Sequence, residues 1–320
     1  MTLPTGFSAT ARSPDVWRFQ PHPEVWLLVA FLIAAYVYVV RVIGPRAVPE
    51  GTRAVTRRQI GCFVGAMALL WSASDWPIHD VGEEHLYSVH MLQHMMLSYF
   101  MPPLALLATP TWLARLLIGD GRLYNAVRWL TKPVVAAVVF NTAVMVTHVP
   151  GVVNMSVQHG PLHYSLHASV VLTSLLMWMP VVGPLPEVRI GPAGQMVYLF
   201  VQSIIPTVPA GWLTFADGVV YKVYDHTPRV FGLSVTYDQQ LAGVIMKVGG
   251  SVFLWTIITV IFFKRFMHNW EAQNSFARRR HVPDAEVIGH DDVELTYDDV
   301  ERAFGESRAP SEPEHPVGGE

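Results

Sequence analysis

Apolar residues fill seven stretches of the chain, each close to the twenty residues that a helix needs to cross a bilayer. Polar and charged residues are concentrated between these stretches and at both ends. The pattern predicts an all-α, polytopic membrane protein with a seven-helix transmembrane bundle, whose helix ends are placed to within two to four residues. The predicted spans are residues 24–43, 60–78, 86–108, 133–150, 163–182, 194–212 and 240–263.

The spans define three regions. Residues 1–23 form an outer N-terminal segment without a cleavable signal peptide, 24–265 the membrane domain, and 266–320 an acidic cytoplasmic tail. Residues 281–320 hold twelve acidic side chains and two arginines. This composition predicts disorder, and helical spacing of apolar residues at 293–304 leaves one short amphipathic helix as the alternative.

Lysine and arginine predict the orientation, because cytoplasmic loops carry an excess of both. The loops 41–58, 113–132 and 183–193 and the stretch 264–280 together hold fifteen of them. The opposite segments, 1–23, 79–85, 151–162 and 213–238, hold four. The N-terminus is therefore predicted outside and the C-terminus inside.

Composition limits the chemistry. Of the residues, 51% are hydrophobic and 15% charged, well below the quarter that is usual for charged residues in soluble domains. The one cysteine, Cys62, excludes disulfides within the chain and metal traps built on paired thiols. The sequence has no phosphate-binding glycine loop and no nucleophile–base pattern, so we expect no catalysed reaction. We expect the lipid bilayer as the first partner and no nucleic-acid partner.

Histidines on the predicted outer side are the candidate functional residues. His90 and His94 are four residues apart and share one helix face, and His163 and His167 repeat this spacing. His148 ends the fourth span at the same depth, and Asp75 near the outer end of the second span could bind an ion or orient an imidazole. The candidate metal ligands are His90, His94, His163, His167, His148 and Asp75.

Several interpretations of these histidines remain open. Imidazole binds zinc, copper, iron and nickel, while thioether sulfur such as that of Met91 and Met95 selects Cu(I), so copper suits the site best. One haem between two spans on the outer side is the alternative cofactor. Interhelical hydrogen bonding without metal is the structural alternative. Lys247 in the seventh span also suggests a retinal-binding protein as a further alternative, although no span carries mid-membrane carboxylates that could transfer protons.

Several motifs resemble the CtaG family of cytochrome c oxidase assembly factors. They are His90-Met-Leu-Gln-His94-Met-Met with Pro102-Pro103 and Pro110, the pair His163/His167, Tyr221-x-x-Tyr224, and Asp238-Gln239-Gln240-Leu-Ala-Gly243. The resemblance covers roughly residues 24–265 and departs at Lys247, where tryptophan is expected. It implies seven spans and a role in forming active haem-copper oxidase, with a part in copper delivery.

The residues and the resemblance together predict an assembly factor for cytochrome c oxidase in a prokaryotic plasma membrane. It is expected to bind or deliver copper through its outer histidines and, as the resemblance implies, to contact oxidase subunits. A haem-binding membrane oxidoreductase or electron carrier is one alternative. A metal-free scaffold for oxidase subunits is the other.

Overall fold

The computed structural model describes residues 15–225, 229–280, 297–298 and 301–302, with the side chains of 272–280 left out. The described residues are helical or irregular, and no β-strand occurs among them, which confirms the all-α class. Most of the predicted tail, including the proposed short helix at 293–304, lies outside the described residues. The chain divides into two compact units, residues 1–265 and 266–320, and all sites discussed below lie in the first.

The described residues form thirteen helices, numbered in chain order. They are α1 (Pro23–Ala47), α2 (Arg57–Ser74), α3 (Ile78–Glu84), α4 (Tyr87–Ala108), α5 (Thr111–Ile118), α6 (Arg122–Leu130), α7 (Pro133–Thr147), α8 (Pro150–Gln158), α9 (Gly160–Val182), α10 (Pro192–Ile204), α11 (Thr207–Thr214), α12 (Val235–Val244) and α13 (Gly250–Arg280). Proline opens several of them, at the position where its missing N–H costs nothing. Short 3₁₀ turns lie at Pro186–Val188, Lys222–Tyr224 and Val230–Gly232.

Four helical segments of the described chain are long and apolar enough to cross a membrane: Pro23–Ala47, Gly160–Val182, Pro192–Thr214 and Val235–Glu271. The count rises to six if α4 with α5, bent by 97°, and α6 with α7, bent by 75°, are each one span. A multi-pass membrane protein is therefore supported, but the predicted count of seven spans is not confirmed. The predicted second span falls on α2, which is 18 residues long but is not among these segments.

A π-helical turn at Met96–Phe100, inside α4, lies just before Pro102 and Pro103. Pro102 has no N–H to donate to the carbonyl of Ser98, four residues earlier. The indole of Trp178 on α9 donates to that oxygen instead, at 3.1 Å. Because Trp178 is fully buried, this bond joins α4 to α9 deep in the bundle.

A break at Pro206 separates α10 from α11, and Lys247 lies against it. The ammonium group donates to the carbonyl oxygen of Ser203 at 3.0 Å and to Oγ1 of Thr207 at 2.6 Å. A cation is favourable at the C-terminal end of a helix, where carbonyl groups lack partners. The structure gives no support to a retinal-binding role of Lys247, because its amine donates hydrogen bonds to Ser203 and Thr207 at the break between α10 and α11.

Candidate metal centre

The two histidine pairs lie together, as their helical spacing predicted. His90 and His94 on α4 have ring centroids 4.4 Å apart, and so do His163 and His167 on α9. Between the helices, the rings of His94 and His167 are 4.8 Å apart and those of His90 and His167 are 5.6 Å apart. One ring nitrogen each from His90, His94 and His167 lies within 4.8 Å of the others, a spacing that fits a shared ion.

A carboxylate that sequence reasoning did not select, Glu83, lies among these rings. His90 donates from Nδ1 to Oε1 of Glu83 at 2.8 Å. The same oxygen is 3.0 Å from Nε2 of His163 and 3.7 Å from Nε2 of His167, without the alignment of a hydrogen bond. Glu83, His163 and His167 also form a group with metal-ligand spacing. The four histidines and Glu83 are called the histidine cluster below.

Glycine allows α3 to bring Glu83 to the cluster. A Cβ atom on Gly82 would lie 2.9 Å from the backbone nitrogen of His90 and 3.0 Å from its Cα. Only a residue without a side chain allows α3 to pack this closely against α4. The following residue, Glu83, then lies beside His90, which could not be deduced from a segment predicted to be an outer loop.

A cavity of about 20 Å³ lies among the four histidines of the cluster, and Tyr224 also lines it. About 10–15 Å³ is enough for one water-sized species. The Nε2 atoms of His94, His163 and His167 are buried without hydrogen-bond partners, and so is the hydroxyl of Tyr224. Buried ring nitrogens without hydrogen-bond partners around a small cavity are an arrangement that can bind a metal ion.

His148, the fifth predicted histidine, adjoins the cluster with its tautomer defined. Its Nδ1–H donates to the carbonyl oxygen of Val144 at 2.7 Å, which leaves Nε2 unprotonated. That Nε2 is buried without a partner, although His148 belongs to none of the possible metal groups found among the described residues. An imidazole oriented in this way through its other nitrogen is typical of metal ligands.

The tyrosine motif, at the 3₁₀ turn Lys222–Tyr224, and the Asp-Gln-Gln motif, on α12, support the cluster. Tyr221 donates its hydroxyl to the carbonyl oxygen of His148 at 2.9 Å, and Gln239 accepts at Oε1 from the amide of Tyr221 at 3.2 Å. Asp238 accepts from the amide of Tyr87 at 2.7 Å, at the first turn of the helix that carries His90. These contacts explain both motifs as supports for the histidine-bearing helices.

Asp75 and the two methionines have other surroundings. Oδ2 of Asp75 accepts from the indoles of Trp26 and Trp71, at 2.8 and 2.6 Å, and Asp75 belongs to none of the possible metal groups found among the described residues. Met91 and Met95 pack into two apolar core clusters. The observed donor set is therefore imidazole and carboxylate.

The charges of Glu83, His79 and His22 follow from their surroundings. Burial alone would raise the pKa of Glu83, but His90 and His163 hold it well below its usual range, so the carboxylate is charged. Burial lowers the pKa of His79, which keeps that imidazole neutral. For His22 burial also acts downward, but the carboxylates of Asp80 and Glu24 outweigh it and raise the pKa.

Comparison with known proteins gives the family. No curated protein and no solved structure matches the chain. The family model described as cytochrome c oxidase caa3 assembly factor (Caa3_CtaG) matches residues 34–267, which include both histidine pairs, Glu83 and the Asp-Gln-Gln motif. Because this match covers well over half of the chain, the protein belongs to the family of cytochrome c oxidase caa3 assembly factors.

Proposed function

We propose that this assembly factor binds one copper ion in the histidine cluster and supplies it to cytochrome c oxidase during assembly. The observation that carries the proposal is that four histidines line one cavity of about 20 Å³ and that the charged Glu83 lies beside three of them. The carboxylate offsets part of the charge of a divalent ion, which lowers the cost of placing it in an apolar bundle.

The donor set favours copper among the divalent ions. Nitrogen and oxygen donors bind Cu²⁺ more tightly than Ni²⁺ or Zn²⁺. With Met91 and Met95 packed into the core, thioether sulfur does not select Cu⁺. When bound, the ion is cargo, and the residues of this chain hold it, neutralise it and keep it from water.

The cavity size argues against haem. Sites for small-molecule cofactors typically enclose about 300–1,000 Å³, whereas the cavity among the histidines measures about 20 Å³. An optical spectrum of the purified protein tests this point, because bound haem would give a Soret band.

The orientation is part of the proposal. The count of fifteen basic residues against four favours a plasma membrane with the N-terminus and the histidine cluster on the outer side. Association with the oxidase follows from the family, and we propose that the contact is made with the subunit that accepts copper.

Copper supply can be separated from scaffolding by varying copper. A copper donor matters most when free copper is scarce, since mass action otherwise fills the acceptor. A strain carrying His94→Ala should lose oxidase activity in copper-limited medium and regain much of it when copper is added. The matched control is His159→Ala, because His159 is an exposed outer histidine outside the cluster. A defect that is equally deep at every copper level, with the protein at normal abundance, would favour a metal-free scaffold.

A further inference from the structure

A second group of possible ligands lies beside the histidine cluster. Nε2 of His22 is 2.7 Å from Oδ1 of Asp80, and the rings of His22 and His79 are 4.8 Å apart. One ligand atom from each of the three residues lies within 4.8 Å of the others. Two imidazoles and one carboxylate form a donor set that binds Zn²⁺ or Cu²⁺.

Further side chains orient both imidazoles of this group. His22 donates from Nδ1 to Glu24 at 3.2 Å, which directs Nε2 towards Asp80. Nδ1 of His79 is 3.1 Å from the amide nitrogen of Gln93, whose Oε1 is buried without a partner. A half-turn of that amide lets Oε1 accept Nδ1–H of His79 and leaves Nε2 free for an ion.

Asp80 provides an independent sign of a missing ligand. The residue is only 5% exposed, and its Oδ2 is buried without a hydrogen-bond partner. Burying an unsatisfied carboxylate oxygen is costly, and a cation bound there would remove the cost. The N-terminal segment is held in place here, because Val16 packs against Val81 and Leu86.

We infer that His22, His79 and Asp80 form a second metal site, which receives a divalent ion at the outer surface and passes it to the histidine cluster. This inference rests on the proposed function of the cluster. His79 and Glu83 are four residues apart on α3, so the two sites share one face of a helix and are separated by about one turn, roughly 6 Å. The rings of His79 and His163 are 6.3 Å apart, which joins the sites.

Transfer between the sites is an exchange of ligands. On binding, the ion replaces the proton between His22 and Asp80, and the proton goes to water. Bonds from the ion to His22, His79 and Asp80 then break as bonds to Glu83, His163 and His167 form. The oxidation state of the ion does not change.

The same contact between His22 and Asp80 could serve only to fix the N-terminal segment to α3, and metal stoichiometry separates the two roles. The full-length protein in detergent is titrated with Cu²⁺ alone, desalted and analysed for copper per chain. We expect two ions in the unmodified protein, one in His22→Ala, one in His94→Ala, and two in the control His159→Ala. The electron paramagnetic resonance spectra of the two variants should differ, because each retains a different site.

Other copper contents would contradict either the second site or the proposed function. Two ions in His22→Ala overturn the second site, as does a single ion in the unmodified protein that is lost in His94→Ala but kept in His22→Ala. No copper in the unmodified protein contradicts the proposed function itself. His22 is the N-cap residue of α1, but its side chain makes no capping hydrogen bond, so His22→Ala removes no cap from this helix. Glu24→Gln gives a second measurement, a weakening of the second site by about tenfold, as expected when a residue that orients a ligand is lost.

Discussion

Asp238 caps α4 at Ser88, accepting from the backbone amide at 3.1 Å and from the hydroxyl at 2.5 Å. The residue before this helix, Leu86, has no side-chain acceptor of its own. The first turn of the helix that carries His90 and His94 is therefore completed by a carboxylate from α12, about 150 residues later in the chain. The position of the histidine pair depends on the last span as well as on its own helix.

Replacing Asp238 with alanine should destabilise the protein and disturb the site. Loss of a helix cap costs about 0.5–2 kcal/mol, and Ser88 and Tyr87 would be left with buried, unpaired amides. Thermal unfolding in detergent and copper content should both decrease. Asp217→Ala is the control, since Asp217 is exposed. Unchanged unfolding in Asp238→Ala would show that the cap contributes nothing to stability.

Glu83→Gln tests the carboxylate that lies among the histidines. The amide keeps the size of the side chain but loses the negative charge, so copper affinity should decrease by at least about tenfold. Competition with a chelator of known affinity measures the change. Glu84→Gln is the neighbouring control, as Glu84 is half exposed. Equal affinity in the two variants would remove Glu83 from the site.

Gly82→Ala tests the close approach of α3 to α4. The new methyl group would meet backbone atoms of His90 at 2.9–3.0 Å, and overpacking of this kind costs about 1–3 kcal/mol. We expect lower thermal stability and weaker copper binding. Gly151→Ala provides the matched control, because a Cβ there has no neighbour within 4 Å. If the two variants behave alike, α3 is not fixed by this contact.

The four histidines should act as one unit in binding copper. His90→Ala and His163→Ala should each remove most of the bound copper, and the double variant should be little worse than either, because residues that share one function are not additive. Copper per chain after desalting is the measurement. Losses that add, or copper that stays constant, would indicate separate structural contacts.

Orientation can be tested with cysteines in a chain whose Cys62 is replaced by serine. Gln158→Cys, at the last residue of α8, should react with an impermeant thiol reagent on intact cells, and Asp120→Cys, between α5 and α6, should not. Both positions are exposed in the structure. The reverse pattern would place the histidine cluster on the cytoplasmic side.

The sequence predicted what depends on local spacing. The two histidine pairs could be placed on helix faces because residues four apart share a face, and their common depth followed from the predicted spans. Glu83 could not be found in this way, since its position depends on how α3 packs against α4 at Gly82. Its spacing from His79 by four residues was the one available signal.

Tertiary contacts also determined features that the sequence could not predict, such as the surroundings of Asp75 and the number of spans. Asp75 looked like a ligand from its depth, but two indoles, one of them on α1, hold its Oδ2. The number of spans was harder to predict, because α2 begins with two arginines and α4 and α7 each adjoin a short helix at a sharp bend.

The small cavity among the four histidines also bears on the speed of exchange. A space of about 20 Å³ accepts an ion only without its hydration shell. Each departing water molecule must therefore be replaced by an imidazole or by the Glu83 carboxylate, and release must reverse these steps. An ion held in this way would leave slowly into solvent but faster to a protein that offers ligands of its own. Slow spontaneous loss would protect the cell from free copper while the cargo waits for its acceptor.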